Sequence, residues 1–186
     1  EESISKMTSL LITTQKIKLA LHRLLILPLI KRSLASCGEN FVLLPGSILT
    51  YSNISVGNNC YISYNALMFC TKAKIIIKND VVIGPNCSII TGDHRTDIIG
   101  RSIRSINDNE KTEMNDQNVT IENDVWIGAN VTILKGVCIS QGCVIGAGSV
   151  VTRSTDPFGI YVGSPAKRVR NRFTESEIIE HKKLYV

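Results

Sequence analysis

Between residues 121 and 155 an aliphatic side chain returns at every sixth position, at Ile121, Ile127, Ile133, Ile139, Ile145 and Val151. From Ile127 onward each is followed four residues later by a second, mostly small residue: Val131, Val137, Cys143, Ser149 or Thr155. The same spacing holds at Val56, Ile62 and Met68 and again at Ile77, Ile83 and Ile89, with Cys60, Ala66, Val81 and Cys87 at the second position. A period of six fits neither the 3.6 residues of a helical turn nor the sustained alternation of a long strand. It predicts very short strands separated by corners, one aliphatic side chain per segment turned inward. Asn, or the glycines that directly follow the aliphatic residue (Gly57, Gly84, Gly128, Gly146), are expected to take a left-handed corner conformation. Stacked segments of this kind form an all-β solenoid with continuous inward ladders, expected over residues 37–173.

Two ends and one insertion interrupt the repeat. After Ile89 the next aliphatic residue in phase is Ile121, so a loop is predicted to leave the body at about residues 92–118; a long loop in a compact repeat fold is usually functional. Residues 8–27 read as a Leu- and Ile-rich helix stopped by Pro28, within an N-terminal helical cap of residues 1–36. At the other end, Thr174 and Glu177 have the spacing of a capping box and predict a short helix within residues 174–186.

The balance of 44% hydrophobic and 20% charged positions over 186 residues suits one domain. With only 5% aromatic residues but 26 isoleucines, the core must rest on β-branched aliphatics. Residues 1–36 carry six Lys or Arg against two acids, residues 157–186 six against three, and the body between them nine against eleven. That body lacks the basic face of a nucleic-acid protein, so no nucleic acid is expected as partner; the basic ends suit a phosphate-bearing small molecule or an anionic surface. Six cysteines without a C-x-x-C pair read as reduced thiols of a cytoplasmic protein. The longest uncharged apolar run near the N-terminus, Leu24 to Ile30, is too short to span a bilayer.

The stretch Asp124-Val125-Trp126-Ile127-Gly128-Ala129-Asn130-Val131, continued by Ile145 to Thr152 and by Gly163-Ser164-Pro165-Ala166-Lys167-Arg168-Val169, resembles the hexapeptide-repeat acyltransferases. The resemblance runs from about Val56 to Phe173 and is strongest to the maltose, galactoside and polysaccharide O-acetyltransferases. It implies a left-handed parallel β-helix, a hand that the usual rule for parallel crossovers would not give. It also implies a homotrimer with active sites shared between subunits. Acetyl-CoA would be a co-substrate without any tightly bound cofactor or metal, and a carbohydrate hydroxyl the acceptor.

The family's catalytic histidine follows the last strand before the inserted loop, and Ile90-Thr91-Gly92-Asp93-His94 holds that place. A neutral hydroxyl is a poor nucleophile near pH 7, and imidazole is the side chain best matched to removing its proton. Asp93, Asp97 or a backbone carbonyl would hold the ring's tautomer. By resemblance, the N–H of Ala129 would face the oxyanion. Ala147, Gly148, Thr152 and Arg153 would lie along the pantetheine arm, and Lys167, Arg168 and Arg170 would meet the nucleotide phosphates. Trp126 would line the cleft, or pack between subunits, and Ser63 and Asn65 fall where relatives bind the acceptor.

The insertion departs from the small-sugar enzymes in its length and in carrying Arg101, Arg104, Asp108, Glu110, Glu113 and Asp116, which suits a lid over a larger glycan of surface or capsular polysaccharide synthesis. Lys16, Lys18, Arg23, Lys31 and Arg32 set among leucines suit peripheral membrane contact, although a cap over the first coil is the simpler reading. Three rivals stand beside the sugar O-acetyltransferase: an antibiotic O-acetyltransferase using the same His94, a non-catalytic solenoid, and a zinc enzyme. The last would need three converging histidines, whereas the chain offers His22, His94 and His181, two of them in the terminal helices.

Overall fold

The computed structural model of the chain describes residues 2–185, with side chains from residue 7 onward. Seventeen short strands form three sheets. The first holds β1 (Ser36–Cys37), β4 (Ile54–Val56), β7 (Ile75–Ile77), β10 (Val119–Ile121) and β13 (Cys138–Ile139). The second holds β2 (Val42–Leu43), β5 (Tyr61–Ile62), β8 (Val82–Ile83), β11 (Trp126–Ile127), β14 (Val144–Ile145), β16 (Gly159–Val162) and β17 (Lys167–Asn171). The third holds β3 (Ile48–Leu49), β6 (Leu67–Phe69), β9 (Ser88–Ile90), β12 (Thr132–Ile133) and β15 (Val150–Val151). Up to β15 the chain visits the three sheets in turn, so each strand pairs in parallel with the one three strands on.

The second residue of each two-residue strand in the body points inward. Ile83, Ile89, Ile121, Ile127, Ile133, Ile139 and Ile145 are fully buried, with Val81, Cys87, Val131 and Cys143 filling the gaps between them. Two polar residues share this interior and are satisfied: Ser149 Oγ donates to the Gly146 carbonyl at 2.6 Å, and Thr155 Oγ1 accepts from the Ser140 N–H at 2.8 Å. All six cysteines are free, and burial pushes the Cys87 thiol up to about 12.

The corners divide their labour differently from the expectation. Asn59, Asn65, Asp80, Asn86, Asp124 and Asn130 take the left-handed conformation with φ between 55° and 58°, which short polar side chains tolerate. Gly57, Gly84, Gly128 and Gly146 do not. They are needed because successive turns touch there: a Cβ on Gly84 would lie 2.7 Å from the Gly128 carbonyl carbon, and one on Gly128 would lie 2.7 Å from the Ala147 nitrogen. The corner amides also stack, Asn65 Nδ2 donating to Asn86 Oδ1 at 3.2 Å and Asn86 Nδ2 to Asn130 Oδ1 at 3.1 Å.

Pro28 does not stop the first helix. α1 (Glu2–Leu21) passes through a π-turn at His22–Ile26 into α2 (Leu27–Ser33). In the π-turn Leu27 N–H reaches back five residues to the His22 carbonyl, and Pro28 enters at the start of the new helix, where no N–H is required of it. Leu27 and Leu34 join the core cluster that includes Phe41. At the far end β17 folds back antiparallel on β16, and α3 (Glu175–Leu184) starts at a capping box of Thr174 and Glu177. Arg172 Nη1 pairs with Asp124 at 2.8 Å, His181 meets the same carboxylate at 3.2 Å, and the Tyr185 hydroxyl donates to Asp80. These contacts hold α3 against the corner between the first and second sheets.

The insertion leaves β9 and returns at β10 as a braced loop. Its root is a short antiparallel ribbon in which Asp93 N–H donates to the Asn115 carbonyl at 2.9 Å and Gln117 N–H to the Thr91 carbonyl at 2.8 Å. Lys135, from the next turn of the stack, pins both sides of that root, pairing with Asp93 Oδ2 at 2.6 Å and donating to the Met114 carbonyl at 2.5 Å. Burial opposes the charge on Asp93, but hydrogen bonds from Lys135 and Asn115 and the charges of Lys135 and Lys111 outweigh it and hold the carboxyl below its ordinary range. Farther out, Arg101 pairs with Glu110, whose carboxyl this contact pulls down to about 2.

Replacing the buried Ile133 by Ala should cost about 2–5 kcal/mol, while the outward neighbour Thr132→Ala should change stability by less than about 0.5 kcal/mol; urea midpoints at constant slope test the contrast. Because the folded Asp93 carboxyl titrates below its unfolded value, its stabilisation is full near neutral pH and is lost as pH falls through the folded value. The stability gap between wild type and Asp93→Asn should therefore close on acidification below the ordinary carboxylate range; a gap independent of pH would contradict the role given to the Lys135 pair.

Candidate active site

Where the chain leaves β9 for the insertion, a cleft of about 200 Å³ opens between the end of the third sheet and the loop root. Leu67, Phe69 and Ile90 form an apolar side, and Thr71, Asp93, His94, Lys111 and Asp116 bring polar groups to it. His94 lies exposed at the cleft, four residues beyond the last residue of β9. Phe69 is half exposed there because its inward neighbour Met68 turns it outward.

Both aspartates expected to orient His94 are engaged by other partners in this structure. Asp93 is taken by Lys135 and Asn115, and Asp97 is held in a two-point contact by Arg95 at 2.8 and 3.2 Å. Such bidentate charge-assisted contacts leave a carboxylate little freedom to turn toward a third group. The charge that His94 perturbs is that of Asp108, whose carboxyl is lowered first by its hydrogen bond from Lys111 and to a lesser extent by Lys72 and His94.

Asp116 is the residue that sequence reasoning counted only among the polar content of the loop. Its side chain is 9% exposed, it lines the His94 cleft, and its Oδ2 accepts no hydrogen bond among the described residues; the Lys111 ammonium stands 3.8 Å away. An unsatisfied carboxylate oxygen in a buried position is costly. Its place shows only in the structure, where a Cβ on Gly92 would strike Asp116 Oδ1 at 2.2 Å.

The remaining candidates fall into separate groups. Thr152 and Arg153 follow β15 and so share the corner between the third and first sheets with His94 and Lys135. Ala129, Ala147 and Gly148 occupy the opposite edge of the third sheet, at the corner leading into it, where Gly148 N–H donates to the Ala129 carbonyl at 2.8 Å. Ser63 and Asn65 lie at that same edge. Ser63 is buried, and the Asn65 amide is a rung of the corner ladder rather than a free group. Trp126, 56% exposed, stands on the outer face of the second sheet between Val82 and Val144. Lys167, Arg168 and Arg170 are exposed on β17, with Arg168 3.6 Å from Asp156. One copy of the chain thus does not gather these residues around one cavity. Among the described residues no group of three or more His, Cys, Asp or Glu is placed to hold a metal ion.

Residues 118–153 match the family model described as bacterial transferase hexapeptide (six repeats). The chain is 35% identical to the galactoside O-acetyltransferase of Escherichia coli K12 over 143 residues, covering 76% of this chain and 66% of that protein. It is 33% identical over 150 residues to a chloramphenicol acetyltransferase of Escherichia coli, covering 68% of this chain and 71% of that one. Among solved structures it resembles a hexapeptide-repeat containing acetyltransferase from Vibrio cholerae in complex with acetyl coenzyme A, with a TM-score of 0.69, 29% identity and coverage of 79% of this chain and 76% of that one. The six-residue ladders and these likenesses agree, and the chain belongs to the hexapeptide-repeat acetyltransferases.

Proposed function

We propose that this protein is an O-acetyltransferase that moves an acetyl group from acetyl-CoA to a hydroxyl of a sugar, with His94 as general base. The reading rests on the cleft at His94, where an imidazole, an aromatic face at Phe69 and the side chain of Asp116 line one space. An apolar ring beside acceptors and hydroxyls is chemistry suited to a carbohydrate, whose ring carbons pack on Phe69 while a neighbouring hydroxyl donates to Asp116. His94 takes the proton of the reacting hydroxyl as its oxygen bonds to the thioester carbonyl carbon. The carbon–sulfur bond then breaks, and the proton passes to the departing thiolate.

The donor half of the site comes, in this reading, from a second copy. Ala129, whose N–H would steady the oxyanion, and Ala147 and Gly148, which would flank the pantetheine arm, lie across the third sheet from His94 in the same chain. A homotrimer that sets this edge of one subunit against the His94 edge of the next would complete the site, with Trp126 at the seam. The winding of the strands would be the left-handed parallel β-helix that the resemblance implies. Lys167, Arg168 and Arg170 would meet the phosphates of the donor. The braced insertion is shaped to cover a larger acceptor, as in the synthesis of surface polysaccharide.

The test is coenzyme A release with acetyl-CoA across a panel of sugars, nucleotide sugars, oligosaccharides and chloramphenicol-type antibiotics. Turnover confined to antibiotics would replace the sugar reading with the xenobiotic one, and no turnover on any acceptor would leave a non-catalytic scaffold. His94→Ala should lower turnover roughly 10²–10⁴-fold while leaving acetyl-CoA binding nearly unchanged; equal turnover would overturn the assignment. Lys167→Ala and Arg170→Ala should raise the KM for acetyl-CoA more than they lower kcat, and an unchanged KM would remove them from the donor site.

A further inference from the structure

We propose that the N-terminal helix docks the protein on an anionic bilayer surface, lying in the interface without crossing it. In α1 only Leu19 is even partly buried among the described side chains, and His22 and Leu27, farther along, continue the contact with the body. Leu19 faces the body from α1, and His22, at the start of the π-turn, is partly buried after it. Met7, Leu10, Thr14, Ile17 and Leu21 recur at alternating steps of three and four residues, which sets them on the other side of α1, and Leu24 in the π-turn extends the apolar stripe. The five large apolar side chains of that stripe are 49–72% exposed. A stripe of this length facing away from the body has no packing role within the chain, and contiguous exposed apolar surface of this kind marks an interaction site.

The charges select the occupant. Residues 1–38 hold six Lys or Arg (Lys6, Lys16, Lys18, Arg23, Lys31 and Arg32) against two acids, Glu1 and Glu2, both at the start of the chain. A second copy of the same helix would bring cations against cations, whereas anionic lipid headgroups complement them. Long basic side chains can keep their heads in the headgroup layer while the leucines enter the acyl boundary. No described helix is long and apolar enough to cross a membrane, so the helix lies on the surface instead of spanning it.

Flotation of the full chain with vesicles of phosphatidylcholine containing about 30% phosphatidylglycerol, against pure phosphatidylcholine, tests the proposal. Binding should require the anionic lipid and weaken as salt rises, because screening shortens the reach of the charges. A Leu10→Gln, Leu21→Gln, Leu24→Gln variant should lose binding by tenfold or more, and so should Lys16→Glu with Arg23→Glu, while both keep the wild-type circular dichroism spectrum and thermal midpoint. Absence of binding to either vesicle would overturn the proposal. So would a leucine variant that changes the oligomeric mass by light scattering without affecting flotation, since the stripe would then be a contact between copies. The readout needs no acceptor, so the outcome is independent of whether the acetyltransferase reading holds.

Discussion

Hydrogen bonding between successive turns is the interaction on which this structure depends. A strand of two residues has no stability alone, and each one here exists because backbone groups on the turns above and below accept and donate to it, as in Gly84 N–H to the Ile127 carbonyl at 2.7 Å and Gly128 N–H to the Ile145 carbonyl at 2.8 Å. That contact requires backbones to approach more closely than a side chain permits, which is why glycine sits where the chain leaves the second sheet. The same stacking lines up the inward isoleucines into ladders and the corner asparagines into columns of amides. Burial and polar satisfaction are thus met by one geometric repeat, each turn serving as template for the next.

Placing chemistry on such a stack has a cost in reach. Inward positions are filled, flat faces offer only shallow relief, and polar function is left to corners and to whatever departs from them. The chain departs once at length, and the departure is stiffened where it begins: Lys135 ties Asp93 and Met114 together across the root. His94 is therefore carried at a fixed point although it belongs to a loop. Asp93, adjacent in sequence, fastens that root through Lys135 and Asn115.

Much of this was legible from the spacing of apolar residues, because a period of six has few physical solutions. The buried series from Ile121 to Val151, the insertion before it and the capping box at Thr174 all follow from that spacing and from local rules. Three features did not. Glycine's role was misjudged because close approach and positive φ leave the same mark in a sequence. The course of the first helix through Pro28 depended on a π-turn that has no compositional signature. The division of site residues between two corners was hidden because the phase of the repeat slips, Met68 to Ile77 being nine residues instead of six; only the pairing register restores it.

The reversed strand β17 has a further consequence. Stacked parallel turns present an unpaired edge at each end, and in principle any other copy could add there and extend the pile into a fibre. Here the last edge of the second sheet belongs to a strand of opposite direction bearing Lys167, Arg168 and Arg170, and α2 packs beside β1 at the beginning. Reversed polarity and clustered positive charge make a poor template for addition. At that sheet the stack is closed to a further parallel strand, and the rest of the molecular surface is left to its sides.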